Sequence, residues 1–196
     1  SQEVCFTAAG GLAKRARTFK LLADAKRIAG LVGTPEALAH ADMAAGYASF
    51  MNGEWRDAKA AMIAAEDRFR DQCVGVNWLL STTRTILYRT LVLRGDLSEL
   101  AERLPPTLRA AAQRGDDYAT MNLRASPMTM LHLAADRPKE GLENLEELFE
   151  KLPKGVFHIQ HFYVLFAALE LDVYAGAPAR GLERLESSAA AMKRSL

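Results

Sequence analysis

Cysteine is scarce. Cys5 and Cys73 are the only two, and they lack metal-type spacing. That argues against a disulfide framework and fits reduced thiols in a cytosol-like, cytoplasmic compartment. No apolar run reaches the ~18 residues that a transmembrane helix needs. Strict alternation of Val, Ile or Thr with polar residues is scarce too, so the usual strand signal is missing. Net charge is almost absent: 25 basic against 24 acidic residues leave +1. There is no global pull toward nucleic acid or an anionic membrane. The chain contains no Gly-x-x-x-x-Gly-Lys phosphate loop, no kinase motif and no readable Ser/His/Asp or Cys/His arrangement. Nothing converges on a reaction. The expectation is a non-enzymatic chain with no catalytic residue, no metal site and no cofactor.

What is plentiful is alanine and leucine, within a chain of 196 residues that is 49% hydrophobic. This is long enough for a sizeable core and favours helix over sheet. The stretch NGEWRDAKAA, beginning at Asn52, sets a pattern: a turn residue, a few polar or helix-starting residues, then a helical run. Counterparts begin at Gly10, Gly95, Asp136 and Gly176. Taking Gly11, Gly53, Gly95, Asp136 and Gly176 as the turns, the spacings are 42, 42, 41 and 40. A near-constant period of this size marks a stacked helical repeat.

Five residues after each turn stand Ala16, Ala58, Leu100, Gly141 and Gly181, four of them small. A small residue there lets the helix after the turn approach the helix before it. Nine residues after the turn stand Lys20, Met62, Leu104, Leu145 and Leu185, apolar in the last four. Each repeat then reads as a helical hairpin, with an A helix before the turn and a B helix after it. The expected A helices cover residues 35–51, 75–94, 116–135 and 156–175. The expected B helices cover 54–71, 97–114, 138–152 and 178–195, preceded by a B-like helix over 12–31. Thr34 is the N-cap of the first A helix, with Pro35 in its first turn. Breakers between hairpins are VGTPE, CVG, RGDD and PKG. Pro105, Pro106 and Pro127 fall inside expected helices, where a kink or a split follows from the missing N–H.

Gly53, Trp55 and Ala58, with Gly46 before the turn and Ala65 after it, resemble the tetratricopeptide repeat. The Gly46 position holds Tyr88, Thr129 and Leu169 elsewhere, and the period exceeds the usual length of about 34. Arg94 to Arg124 resembles the C-terminal helical-repeat regions of large bacterial serine/threonine kinases and of multidomain signal-transduction ATPases. The resemblance implies an all-α, right-handed superhelical array of antiparallel helical hairpins. That is a tetratricopeptide-like α-solenoid with a period of about 40 residues. Residues 1–196 would form a single helical-repeat domain of about four and a half hairpins. The chain opens on Ser1, shows no signal-peptide pattern, and its tail reads as a helix still running. The expectation is a piece of a longer signalling protein.

Several features carry a bland reading beside a functional one. His158 and His161 share a helix face at a spacing that can hold a metal, but the flanks VFHIQHFYVLF are apolar and favour a structural or groove-lining role. His40 and His132 are isolated, and Cys73 lacks a local activator. Lys14, Arg15, Arg17, Lys20, Lys26 and Arg27, against Asp24, put +5 into one helix. A solvated face is favoured over docking to an acidic partner or to nucleic acid. The helix KEGLENLEELFEKL is acidic outward and buries one leucine-rich stripe.

If the tetratricopeptide resemblance holds, a concave surface is built mostly by the A helices. Thirteen residues before the turns it selects His40, Thr82, Leu123 and Tyr163; six before, it selects Tyr47, Arg89, Met130 and Glu170. Leu123 and Met130 read as packing. The candidate partner groove is therefore His40, Tyr47, Thr82, Arg89, Tyr163 and Glu170. The expected partner is a protein or peptide, including another domain of the same polypeptide. A small-molecule sensor that changes array curvature and a self-associating scaffold are the alternatives.

Overall fold

The computed structural model describes residues 1–154 and 156–195. The architecture is all-α, and no strand occurs among the described residues. In chain order the helices are α1 (Gln2–Ala8), a 3-10 turn (Gly11–Lys14), α2 (Arg15–Val32), α3 (Pro35–Met51), α4 (Trp55–Gln72) and α5 (Asn77–Arg94). They continue with α6 (Leu97–Gln113), α7 (Asp117–Ala125), α8 (Pro127–Ala134), α9 (Pro138–Lys151), α10 (Ile159–Tyr174) and α11 (Pro178–Ser195). The helices pack sequentially within two compact units, Ser1–Asp96 and Leu97–Leu196.

The turns follow from backbone chemistry. Gly11, Gly53, Gly95, Asp136 and Gly176 all take positive φ, between 54° and 76°. These are the five turn residues read from the sequence. Asp136 is the exception in type, and aspartate tolerates the left-handed region better than most non-glycine residues. Gly33, Gly75 and Gly115, from three of the four breakers, are left-handed as well. Gly155, in the fourth, lies outside the described residues.

In the first unit, the hairpin of α3 and α4 is the most extensively packed element pair. Gly46 permits it: a Cβ there would sit 2.7 Å from the Met62 Cγ. Ala58, Met62 and Ala65 on α4 are fully buried. Val4 and Ala8 of α1 and Leu22 of α2 close on Ala44, Ala45 and Ala48 of α3. On the other side Val76, Leu79 and Leu80, at the start of α5, pack against Ala39, Ala65 and Phe69. The Thr34 hydroxyl accepts the Ala37 N–H at 3.3 Å, so the expected N-cap of α3 is present. In the second unit α9 and α10 form the centre, where Leu145, Leu148 and Leu152 meet Val164, Ala167 and Leu171.

Two local expectations are corrected, and a third, the split at Pro127, is met. The helix expected over 12–31 begins at Arg15, after a 3-10 turn, and Ala16 is exposed instead of marking a close contact. The third A helix is two helices, broken at Ser126. Pro127 has no N–H and disfavours helical geometry at the residue before it, so it starts a new helix. By contrast α6 runs through Pro105 and Pro106 without interruption. Their expected hydrogen-bond acceptors, the carbonyls of Ala101 and Glu102, belong to exposed residues that solvent can satisfy.

Candidate interaction surface

His40 and Tyr47 lie two turns apart on α3, and Thr82 and Arg89 lie two turns apart on α5. The first unit therefore holds four of the six candidate groove residues, on helices in direct contact. Tyr163 and Glu170 lie two turns apart on α10, in the second unit. All six are half-buried. His40 stands edge-on to Phe69, ring centroids 5.6 Å apart, with its Nε2 4.0 Å from Glu36. Tyr47 leans on the core between α1, α2 and α3. Tyr163 leans on the α9–α10 core, its ring 6.2 Å from Phe162. The Thr82 hydroxyl is withdrawn from solvent with no hydrogen-bond partner among the described residues. Leu123 is fully buried, as packing requires, and Met130 is half-buried.

The histidine pair is a helix cap. The His158 backbone N–H donates to His161 Nδ1 at 3.0 Å, and His161 Nε2 lies 3.2 Å from the Pro153 carbonyl. An accepting Nδ1 leaves the ring proton on Nε2, which donates to Pro153. Both His161 ring nitrogens are then occupied, and its one free lone pair is engaged by the His158 N–H. No group of three or more His, Cys, Asp or Glu side chains stands ready for a metal ion among the described residues. Burial, with Glu36 beside it, pushes the Cys73 thiol above its usual range, and burial does the same for Cys5. Neither is an activated thiolate.

Charge on the surface is largely paired locally. Arg15 pairs with Glu54, Arg17 with Glu3, and Arg27 with Asp24, which accounts for half of the basic run on α2 as a solvated face. Between helices, Arg84 holds the buried Glu66 at 2.7 Å and Arg68 holds Asp42 at 2.9 Å. Lys59 and Arg94 both meet Asp96 at 2.8 Å, and these hydrogen bonds hold its carboxyl below the usual range. In the last hairpin Asp172 is fully buried and held by Arg180 at 2.6 Å and Arg184 at 2.9 Å.

Two of the hollows among the described residues are notable, and His40, Tyr47 and Arg89 line neither. One, of about 330 Å³, lies among Glu3, Phe6, Lys14 and Arg17. The other, of about 420 Å³, lies among Tyr118, Met121, Arg124, Lys151, His158 and Gln160. Arg124 is already engaged there, its Nε donating to the Asn144 side-chain Oδ1 and its Nη2 to Glu147, both at 2.7 Å. Sequence reasoning passed over a third feature, the exposed apolar residues Phe162 and Phe166 on α10 and Leu182 and Leu185 on α11. No local sequence signal marks these residues as exposed. No helix among the described residues is long and apolar enough to cross a membrane.

No family model matches the chain, and neither a curated protein nor a solved structure does.

Proposed function

We propose that the chain is a tetratricopeptide-like, right-handed superhelical array with a period of about 40 residues, and that it serves as a non-enzymatic interaction module. It binds a protein or peptide partner along the A-helix faces through His40, Tyr47, Thr82, Arg89, Tyr163 and Glu170. The observation that carries this reading is their shared burial: all six are half-buried. His40, Tyr47 and Tyr163 are supported from below by Phe69 and by the two cores and remain partly accessible. Tyrosine held this way loses little conformational entropy on binding, and tyrosine and arginine commonly anchor interfaces. The module would serve a larger signalling protein, of the kind whose repeat regions Arg94 to Arg124 resembles.

A photo-activatable amino acid at position 47 tests the assignment by crosslinking the partner for identification. Arg89→Glu combined with Tyr47→Ala then abolishes capture of that partner while circular dichroism shows the chain still folded. Undiminished capture refutes the groove.

A further inference from the structure

The same register positions are filled differently in the two units. Counted from the turns at Gly53 and Gly95, the seam of α3, α4 and α5 is packed by Ala39, Ala65, Phe69, Leu79 and Leu80. Counted in the same way from Asp136 and Gly176, the seam of α7, α9 and α10 holds Asn122, Leu148, Leu152, Gln160 and His161. Three of the five apolar positions have become polar. Asn122 is buried, and its Oδ1 has no hydrogen-bond partner among the described residues. The hollow of about 420 Å³ opens along this second seam, with Leu148, Leu152 and Gln160 in its lining. A cavity of that size can hold a small organic molecule.

Several lining residues are held in place. His161, at the position of Leu80, donates through Nε2 to the Pro153 carbonyl and accepts the His158 N–H, and Pro153 and His158 both line the hollow. Arg124 is fixed by Asn144 and Glu147. Met121, Leu148, Leu152 and Pro153, with the Tyr118 ring, make the lining largely apolar. Two charged lining groups stand outside any ion pair among the described residues. They are the Asp117 carboxylate, in the first turn of α7, and the Lys151 ammonium, in the last turn of α9. A ligand that matches this lining brings an ammonium to Asp117, a carboxylate to Lys151 and an apolar body to the rest. A simple organic acid would leave Asp117 unanswered, and a phosphate would add a second negative charge with no partner.

We infer that the hollow in the second unit binds a small zwitterion with an apolar side chain, an α-amino acid or a short peptide. This goes beyond the interaction-module reading and does not depend on it, because none of the six groove residues lines the hollow.

The test is isothermal titration calorimetry on the whole chain with L-leucine, L-methionine, L-phenylalanine and the dipeptide leucyl-phenylalanine. At least one binds at millimolar concentration or below. Its N-acetyl and amide derivatives, each short of one charge, bind about tenfold or more weakly. Lys151→Met and Asp117→Asn each weaken the zwitterion about tenfold or more, while circular dichroism shows unchanged helix content because both side chains are exposed. Gln160→Trp occludes the hollow and abolishes binding; should it fail to fold, the two charge variants carry the test. A tighter dipeptide assigns the hollow to peptide ends, and a tighter amino acid assigns it to the free monomer. No heat of binding from any of the four, derivatives that bind as well as the zwitterions, or affinity indifferent to both charge variants overturns the site. Lys151→Met leaves capture of the protein partner through Tyr47 and Arg89 unchanged, so the two readings fail separately.

Discussion

The hairpin of α3 and α4 and the hairpin of α10 and α11 turn the same way and are sealed by different chemistry. Four residues before the turn, the four hairpins place Ser49, Leu91, His132 and Asp172. Ser49, Leu91 and Asp172 are buried, and both ring nitrogens of His132 are withdrawn from solvent. Geometry withdraws this position from water, and each residue type meets that burial in its own way. The first hairpin closes on Gly46 against Met62, with Ala58 fully buried, and its ion pair, Arg68 with Asp42, is only half-buried. The last closes on a carboxylate clamped by two arginines. A turn register fixes where side chains meet and leaves open what holds them.

The largest test of this contrast strands the carboxylate. Arg180→Ala with Arg184→Ala leaves Asp172 buried and unpaired, and urea unfolding should show a loss of about 3–5 kcal/mol. Asp172→Leu, which copies Leu91, costs far less, because the half-exposed arginines return to water. Equal losses in the two variants would place the seal elsewhere.

Glycines give a smaller and signed effect. Gly46→Val drives a side chain into Met62 and should cost about 1–3 kcal/mol by overpacking. Gly30, on the exposed side of α2, has open space where a Cβ would stand. Gly30→Ala should therefore stabilise by up to about 1 kcal/mol through helix propensity alone. A loss at Gly30 in thermal unfolding would contradict the open face.

The smallest effect is pH-dependent. Burial pushes the His132 pKa below its ordinary 6.5, with Glu140 opposing and Arg137 reinforcing the shift. The folded state therefore prefers the neutral ring. Stability contributed at this site is fully present above about 6.5 and is lost as pH falls toward the lower folded value. Unfolding midpoints from pH 7.5 to 5.5 should decline more steeply in the native chain than in His132→Leu. Parallel curves would remove His132 as the cause.

Much of the fold was legible because turns are local. Gly53 and Gly176 announce left-handed backbone by residue type, and Thr34-Pro35 announces a helix start. The break at Ser126 followed from Pro127, while the uninterrupted α6 did not follow from Pro105 and Pro106. The cost of a proline depends on whether water reaches the abandoned carbonyls, which is a property of the surface. The exposure of Ala16 was hidden for a related reason: a small residue marks a close contact only where a helix lies opposite. Of the candidate surface, the register selected six half-buried positions, but exposed Phe162 reads in sequence like any core phenylalanine. Which apolar rows are covered is settled by tertiary packing, which no local pattern encodes.

The turn at Asn52 and Gly53 also bears on how the chain ages. Asn-Gly is the dipeptide most given to cyclising into a succinimide, a reaction in which the glycine nitrogen attacks the asparagine side-chain carbon. Here the Gly53 N–H is donated to the Phe50 carbonyl at 3.2 Å, and the Asn52 side-chain nitrogen to the Ala48 carbonyl at 2.8 Å. Nucleophile and target are each tied back to the end of α3. The chemical durability of the bond is thus lent to it by the helix it terminates, and lasts as long as that helix stays wound.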